Sequence, residues 1–185
     1  GHPQPDRVVV AMGSGVSALR PAAEAMNAAG ERVGVVTVRL YRPFDVEAFL
    51  SVLPASARTI AVLDRTKEPG AVGEPLYQDV VTALVDGRPG TSLPRVIGGR
   101  YGLSSKEFTP AMARSVFDEC AREKPKKHFT IGITDDVTHL SLAWDRDARV
   151  VDPDVTCCVF YGLGSDGTVG AVKESAKIIG DHTAL

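Results

Sequence analysis

The chain has 185 residues, 44% of them hydrophobic, which is enough for one full core and a smaller second unit. Its 21 Lys+Arg nearly balance 23 Asp+Glu, and no basic run points to nucleic acid. No apolar stretch approaches the roughly 20 residues that span a bilayer. The N-terminal GHPQPDRVVV lacks the charged-then-apolar layout of a signal peptide.

RVVVAM at 7–12 is apolar without alternation, as expected of a strand buried on both faces. GSG follows, and the pattern predicts a helix over 17–29 with Ser17 as N-cap and Gly30 as its stop. Pro21 is expected near the first turn, where backbone donors lack intrahelical partners. RVGVVTVRL at 32–40 reads as a second strand, YRPF as a turn, and VEAFLSVL as a short helix capped by Asp45 and ended by Pro54. TIAVLDR at 59–65 is a third strand, followed by the polar loop TKEPGAVGE. PLYQDVVTALV carries Leu76, Val80, Val81 and Leu84 at helical spacing. RVIGG at 95–99 is a fourth strand, and TPAMARSVFDECA a helix with Thr109 as cap and Pro110 at its first position. Strands alternating with helices of this length predict an α/β domain over 7–122, with three layers and a mostly parallel sheet between helices.

Residues 123–156 break the rhythm with two prolines, scattered charges and short apolar runs, and are expected to form an extended interdomain connector. CCVFYG then predicts a new strand that feeds YGLGSDGTVG and a helix through 173–179. Residues 157–185 thus read as the start of a second, truncated domain, a βα unit cut from a longer enzyme. Cys120, Cys157 and Cys158 form no CxxC pair, and Cys157 and Cys158 are expected to be buried strand thiols in a reducing, cytoplasmic compartment. Three thiols fall short of the four that an iron–sulfur cluster needs.

Three motifs invite chemistry. GSGVSA at 13–18 matches G-x-G-x-x-A after a strand, where glycines let a pyrophosphate approach a helix N-terminus. The end of the next strand offers Arg39 and no carboxylate for a ribose, so NADP alone would suit it; a plain strand-to-helix turn is the stronger reading. TDDVTH at 134–139 sets Asp135, Asp136 and His139 together, but it lacks a third firm metal ligand and a supporting shell. Side chains of this kind more often fix turns. His2, His128 and His182 have no companion at useful spacing and receive no role.

The third motif, GLGSDG, places Gly162, Gly164 and Gly167 before a helix bearing Lys173 and Lys177 on one face. Backbone amides, two ammonium groups and the hydroxyls of Ser165 and Thr168 make a candidate anion cradle. Asp166 would repel phosphate there unless it caps the helix or holds a sugar hydroxyl.

YRPFD, AVLDRTKEPGAVGEPLY, GGRYGLSSKEFTPAM, IGITDDVTH and FYGLGSDGTVGA occur in order along nearly the whole chain. Together they resemble the long-chain pyruvate:ferredoxin (or flavodoxin) oxidoreductases. The resemblance implies a homodimeric multidomain enzyme that decarboxylates pyruvate on thiamine diphosphate with magnesium. Electrons then pass through [4Fe–4S] clusters to ferredoxin or flavodoxin, and acetyl-CoA is released. It further implies that the first domain has the fold of a transketolase C-terminal domain. The segment from Cys157 onward is similar to the start of a gamma-type domain associated with coenzyme A, which gives the glycine loop a phosphate-binding role. The remaining domains of the same polypeptide would be its partners.

The family pattern continues TVGANKNS where this chain has TVGAVKES, so Val172 replaces an amide side chain and Glu174 adds a negative charge. No thiamine-diphosphate or cluster signature occurs in these residues, so the segment is expected to hold no catalytic residue, metal or cofactor by itself. Two rivals stay open. One is a sister 2-oxoacid oxidoreductase with another substrate, such as 2-oxoglutarate. The other is a free-standing nucleotide-binding module for NADP or coenzyme A.

Overall fold

The structure, a computed structural model, describes residues 1–87, 92–135, 137–148 and 158–183. The chain divides into two compact units, residues 1–150 and 151–185. In the first unit, β1 (Arg7–Met12), β2 (Val33–Val38), β3 (Thr59–Asp64), β4 (Arg95–Tyr101) and β5 (His128–Ile131) form one sheet. Their order is β2-β1-β3-β4-β5, and every neighbouring pair is parallel. The flanking helices are α1 (Val16–Ala28), α2 (Val46–Val52), α3 (Pro75–Gly87) and α4 (Pro110–Ala121).

The apolar runs are continuous because the central strands are buried on both faces. In β1, Val9 and Ala11 join a core with Leu19, Ala22 and Met26 of α1 and Val116 and Phe117 of α4. Val8 and Val10 face the other way, into a core with Phe49 of α2 and Leu76, Val80 and Leu84 of α3. β3 splits likewise, Ala61 and Leu63 against Ile60 and Val62. This is the strand periodicity of two, with a helix layer on each side.

Local signals set most helix ends as expected. Asp45 accepts the Ala48 amide at 2.8 Å to cap α2, and Thr109 accepts that of Met112 at 3.3 Å to cap α4. Gly30 follows α1 with φ +88°. The start of α1 differs from expectation. Gly13–Gly15 winds a 3-10 turn that runs directly into the helix, so Gly15 is the N-cap and Ser17 lies inside the helix. Pro21 is therefore interior rather than in the first turn. The carbonyl of Ser17, which it leaves without a helical donor, belongs to an exposed residue open to water.

The expected connector also differs. Its residues His128–Ile131 pair with β4 as the fifth strand, with Gly99 opposite Phe129 and Tyr101 opposite Ile131. Leu142 and Trp144 beyond it pack against the α1/α4 core. Two glycines in β4 make the fit. A Cβ on Gly98 would lie 2.9 Å from the Tyr77 ring, and one on Gly99 would meet the Phe129 ring and stand 2.7 Å from Leu63. The bare backbone therefore lets an aromatic ring lie against the sheet at both positions.

Candidate functional site

In the second unit, α5 (Thr168–His182) follows the glycine loop, and none of its residues is buried. The predicted strand before the loop is not formed: Cys157 lies outside the described residues, and 158–163 has no strand pairing. A strand needs a partner for its backbone donors and acceptors, and the described residues of this unit provide none. Cys158 is accordingly exposed, not a buried strand thiol.

The loop itself is tightly organised. Gly164, Ser165 and Gly167 all have left-handed backbones, with φ of 84°, 52° and 83°. Gly162 has no space for a side chain, since a Cβ there would lie 2.8 Å from the Thr168 Cβ. At the centre stands Asp166, whose carboxylate accepts the Leu163 amide at 2.7 Å and the Thr168 amide at 3.0 Å. The Thr168 hydroxyl donates to it at 2.6 Å. These bonds, the hydroxyl's first, hold the Asp166 pKa down at about 2. The carboxylate thus caps the loop, the role that reconciles Asp166 with this position, and takes up two amides. Lys173 and Lys177 are exposed, and neither forms an ion pair with any described residue. Val172 is half-buried and Glu174 exposed.

The carboxyl end of the first unit's sheet is where a sheet of this order holds ligands, between β1 and β3. Here that crevice is bridged by protein groups. Arg65, just after β3, donates Nε to the Gly102 carbonyl at 3.1 Å and Nη1 to the Ser14 hydroxyl at 3.4 Å. The Tyr101 hydroxyl donates to the Met12 carbonyl at 3.3 Å, and a Cβ on Gly15 would run into the phenol ring. The second glycine of GSGVSA therefore makes room for Tyr101 rather than for a pyrophosphate.

Beside it, Asp64 is 2% exposed and accepts the amides of Leu76 and Tyr77 at 2.9 and 3.1 Å, capping the first turn of α3. Burial pushes its pKa up, and the two amide bonds only partly oppose this. Glu74, 4% exposed, takes Nε of Arg100 at 2.6 Å. Sequence reasoning passed over Arg65, Asp64, Glu74 and Arg100. An acid closing a buried strand was the one available signal.

Asp135 of TDDVTH accepts the amides of Val137 and Thr138 at 3.2 and 2.9 Å, and also the Thr138 hydroxyl. It fixes a turn, with its pKa lowered chiefly by the hydroxyl bond. Asp136 lies outside the described residues. His128 stands edge-on to the Tyr77 ring at 5.1 Å, with its pKa lowered chiefly by burial. Cys120 is 3% exposed, and burial pushes its thiol up to about 12. Among the described residues no three His, Cys, Asp or Glu are grouped to hold a metal ion.

The first unit is thus a doubly wound, all-parallel α/β domain whose buried carboxylates, Asp64, Glu74 and Glu119, are engaged in amide bonds or ion pairs, and the second presents a glycine loop and helix. The family described as pyruvate:ferredoxin oxidoreductase core domain II matches residues 5–106. The chain belongs to this family. It is 58% identical over 183 residues to a pyruvate-flavodoxin oxidoreductase of Trichormus variabilis, covering 99% of this chain and 15% of that protein. It is 59% identical over 190 residues to one of Rhodospirillum rubrum, covering 100% and 16%. To the pyruvate:ferredoxin oxidoreductase of Moorella thermoacetica it is 54% identical over 185 residues, again 100% and 16%. The chain therefore spans 15–16% of the length of these curated relatives.

Proposed function

We propose that the chain serves as a structural and coenzyme A-contacting segment of a pyruvate:ferredoxin or flavodoxin oxidoreductase. The parent reaction converts pyruvate, coenzyme A and oxidised acceptor to acetyl-CoA, carbon dioxide and reduced acceptor. Thiamine diphosphate with magnesium and [4Fe–4S] clusters would supply its chemistry elsewhere in a homodimeric, cytoplasmic polypeptide. Within this segment the α/β unit would pack against the remaining domains and contribute no catalytic residue. Residues 157–185 would begin the domain that holds coenzyme A.

The observation that supports the coenzyme A role is the pair of lysines one turn apart on α5, which form no ion pair with any described residue, behind a glycine loop with three left-handed residues. Lys173 and Lys177 would meet phosphate oxygens, with Gly162, Gly164 and Gly167 shaping the loop and Ser165 adding a hydroxyl. Because Asp166 already holds the Leu163 and Thr168 amides, the lysines and the remaining first-turn amides of α5 would carry the contact. Thr168, whose hydroxyl is engaged by Asp166, would join only after that bond opens.

Calorimetric titration of coenzyme A into the parent enzyme tests this. Lys173→Ala with Lys177→Ala is expected to weaken binding by about 1–3 kcal/mol, the scale of one or two charge-assisted hydrogen bonds. Unchanged affinity would reduce the loop to a packing turn.

A further inference from the structure

Two cavities in the first unit are rich in arginine, and they differ in how that charge is met. The larger, about 810 Å³, lies at the amino end of the sheet and is lined in part by Arg7, Arg58, Arg95 and Arg122. Arg7 is bound to Asp6 and Glu31 there, Arg122 to Glu119, and Arg95 to the carbonyls of Arg122 and Glu123. That network is explained by the fold.

The smaller cavity, about 460 Å³, lies at the carboxyl ends of β1 and β2 and is lined by Gly13, Val16, Ser17, Arg20, Thr37 and Arg39. It contains no carboxylate. Neither Arg20 nor Arg39 forms an ion pair or side-chain hydrogen bond with any described residue, and the hydroxyls of Ser17 and Thr37 are likewise unbonded. Gly13, with φ +61°, has open space where a side chain would stand. Two uncompensated guanidinium groups and two hydroxyl donors around one opening match the charge and donor needs of a phosphate dianion. The amino end of α1 adds a partial positive charge on the same side, but the arginines make the case.

We propose that this cavity binds a phosphomonoester, with Arg20 and Arg39 as its charge partners and Ser17 and Thr37 as further donors. The site is lined by residues of the first unit and uses the GSGVSA turn without the pyrophosphate contact that Tyr101 displaces.

The test uses the 185-residue chain carrying Lys173→Ala and Lys177→Ala, so that the glycine loop does not contribute. Inorganic phosphate and adenosine 2′-monophosphate are titrated separately at constant ionic strength, with chloride as the balancing anion, and followed by amide chemical shifts. Saturable shifts at Gly13, Ser17 and Thr37 are expected, with affinity falling about tenfold on Arg20→Gln or Arg39→Gln. Arg58→Gln, an exposed arginine of the other cavity, should leave the affinity unchanged. Tighter binding of the nucleotide would identify a nucleoside phosphate as the ligand, and equal binding a free phosphate; either supports the site. Thr37→Val gives an independent reading through a smaller loss. Shifts that do not saturate, or affinities equal in the parent chain and Arg39→Gln, would overturn it.

Discussion

Gly15 and Tyr101 meet at the carboxyl end of the sheet with no space between them for a methyl group: a Cβ on Gly15 would collide with the phenol oxygen and ring. Gly15 itself has an ordinary helical backbone, φ −58° and ψ −27°, so its smallness rather than its flexibility is required. Gly15→Ala should therefore cost stability through overpacking, by about 1–3 kcal/mol. Urea unfolding of the two chains measures it. An unchanged midpoint would show that Tyr101 swings aside freely.

Asp64 makes a second prediction through its two amide bonds. Asp64→Ala leaves the Leu76 and Tyr77 amides without their acceptor in a buried place, at a cost of about 1–3 kcal/mol. Its pH signature is opposite to that of an ordinary salt-bridged acid. Because its folded pKa lies above the usual 3.8, the folded chain holds the proton more tightly than the unfolded one. Stability should then fall as the pH rises from 3.8 through the folded pKa, and Asp64→Asn should remove that slope. Thermal melts across the acidic range would show a persistent slope in Asp64→Asn if another group were responsible.

Asp166 has the contrary sign. Its folded pKa of about 2 lies below the usual 3.8, so ionisation stabilises the loop. That contribution is complete above 3.8 and is lost as the pH falls through about 2. Helical circular dichroism from α5 should decline over that window and already be reduced at neutral pH in Asp166→Ala. Gly162→Ala, which presses a methyl group onto Thr168, should reduce it further. A pH-independent signal in the acid range would contradict the capping role.

The thiols should separate cleanly by reactivity. Cys120 is buried with its pKa pushed up to about 12, so almost no thiolate exists at pH 8. Cys158 is exposed. A chain with Cys157→Ser and Cys158→Ser should resist Ellman's reagent until urea unfolds it, whereas restoring Cys158 should bring back one fast-reacting thiol. Rapid labelling of the Cys120-only chain would mean that α4 opens easily.

How far the chain could be read in advance depended on whether a signal was local. Asp45, Thr109 with Pro110, and Gly30 mark helix ends through bonds and backbone angles within a few residues, and these were visible in the sequence. The buried strands showed themselves by unbroken apolar runs, because both faces of β1 and β3 are covered. The start of α1 is not legible in the sequence, since three residues, GSG, serve equally as a loop or as a tight turn that extends a helix.

The amino-acid order by itself determined the α/β class, the caps of α2 and α4, the family resemblance, and the glycine loop with its two lysines. Tertiary structure decided the rest. HFTI became β5 only because β4 offered an open edge with glycines at Gly98 and Gly99, which four residues amid charges do not announce. It also set Tyr101 against Gly15, turned Asp64 toward α3, and gathered Arg20 and Arg39 around one cavity. Conversely, VFY formed no strand where the described residues of the second unit supplied no sheet. The physical reason is the same in each case. A cap or a turn is satisfied within its own segment, whereas a strand, a buried carboxylate or a charged cavity takes its energy from residues distant in sequence.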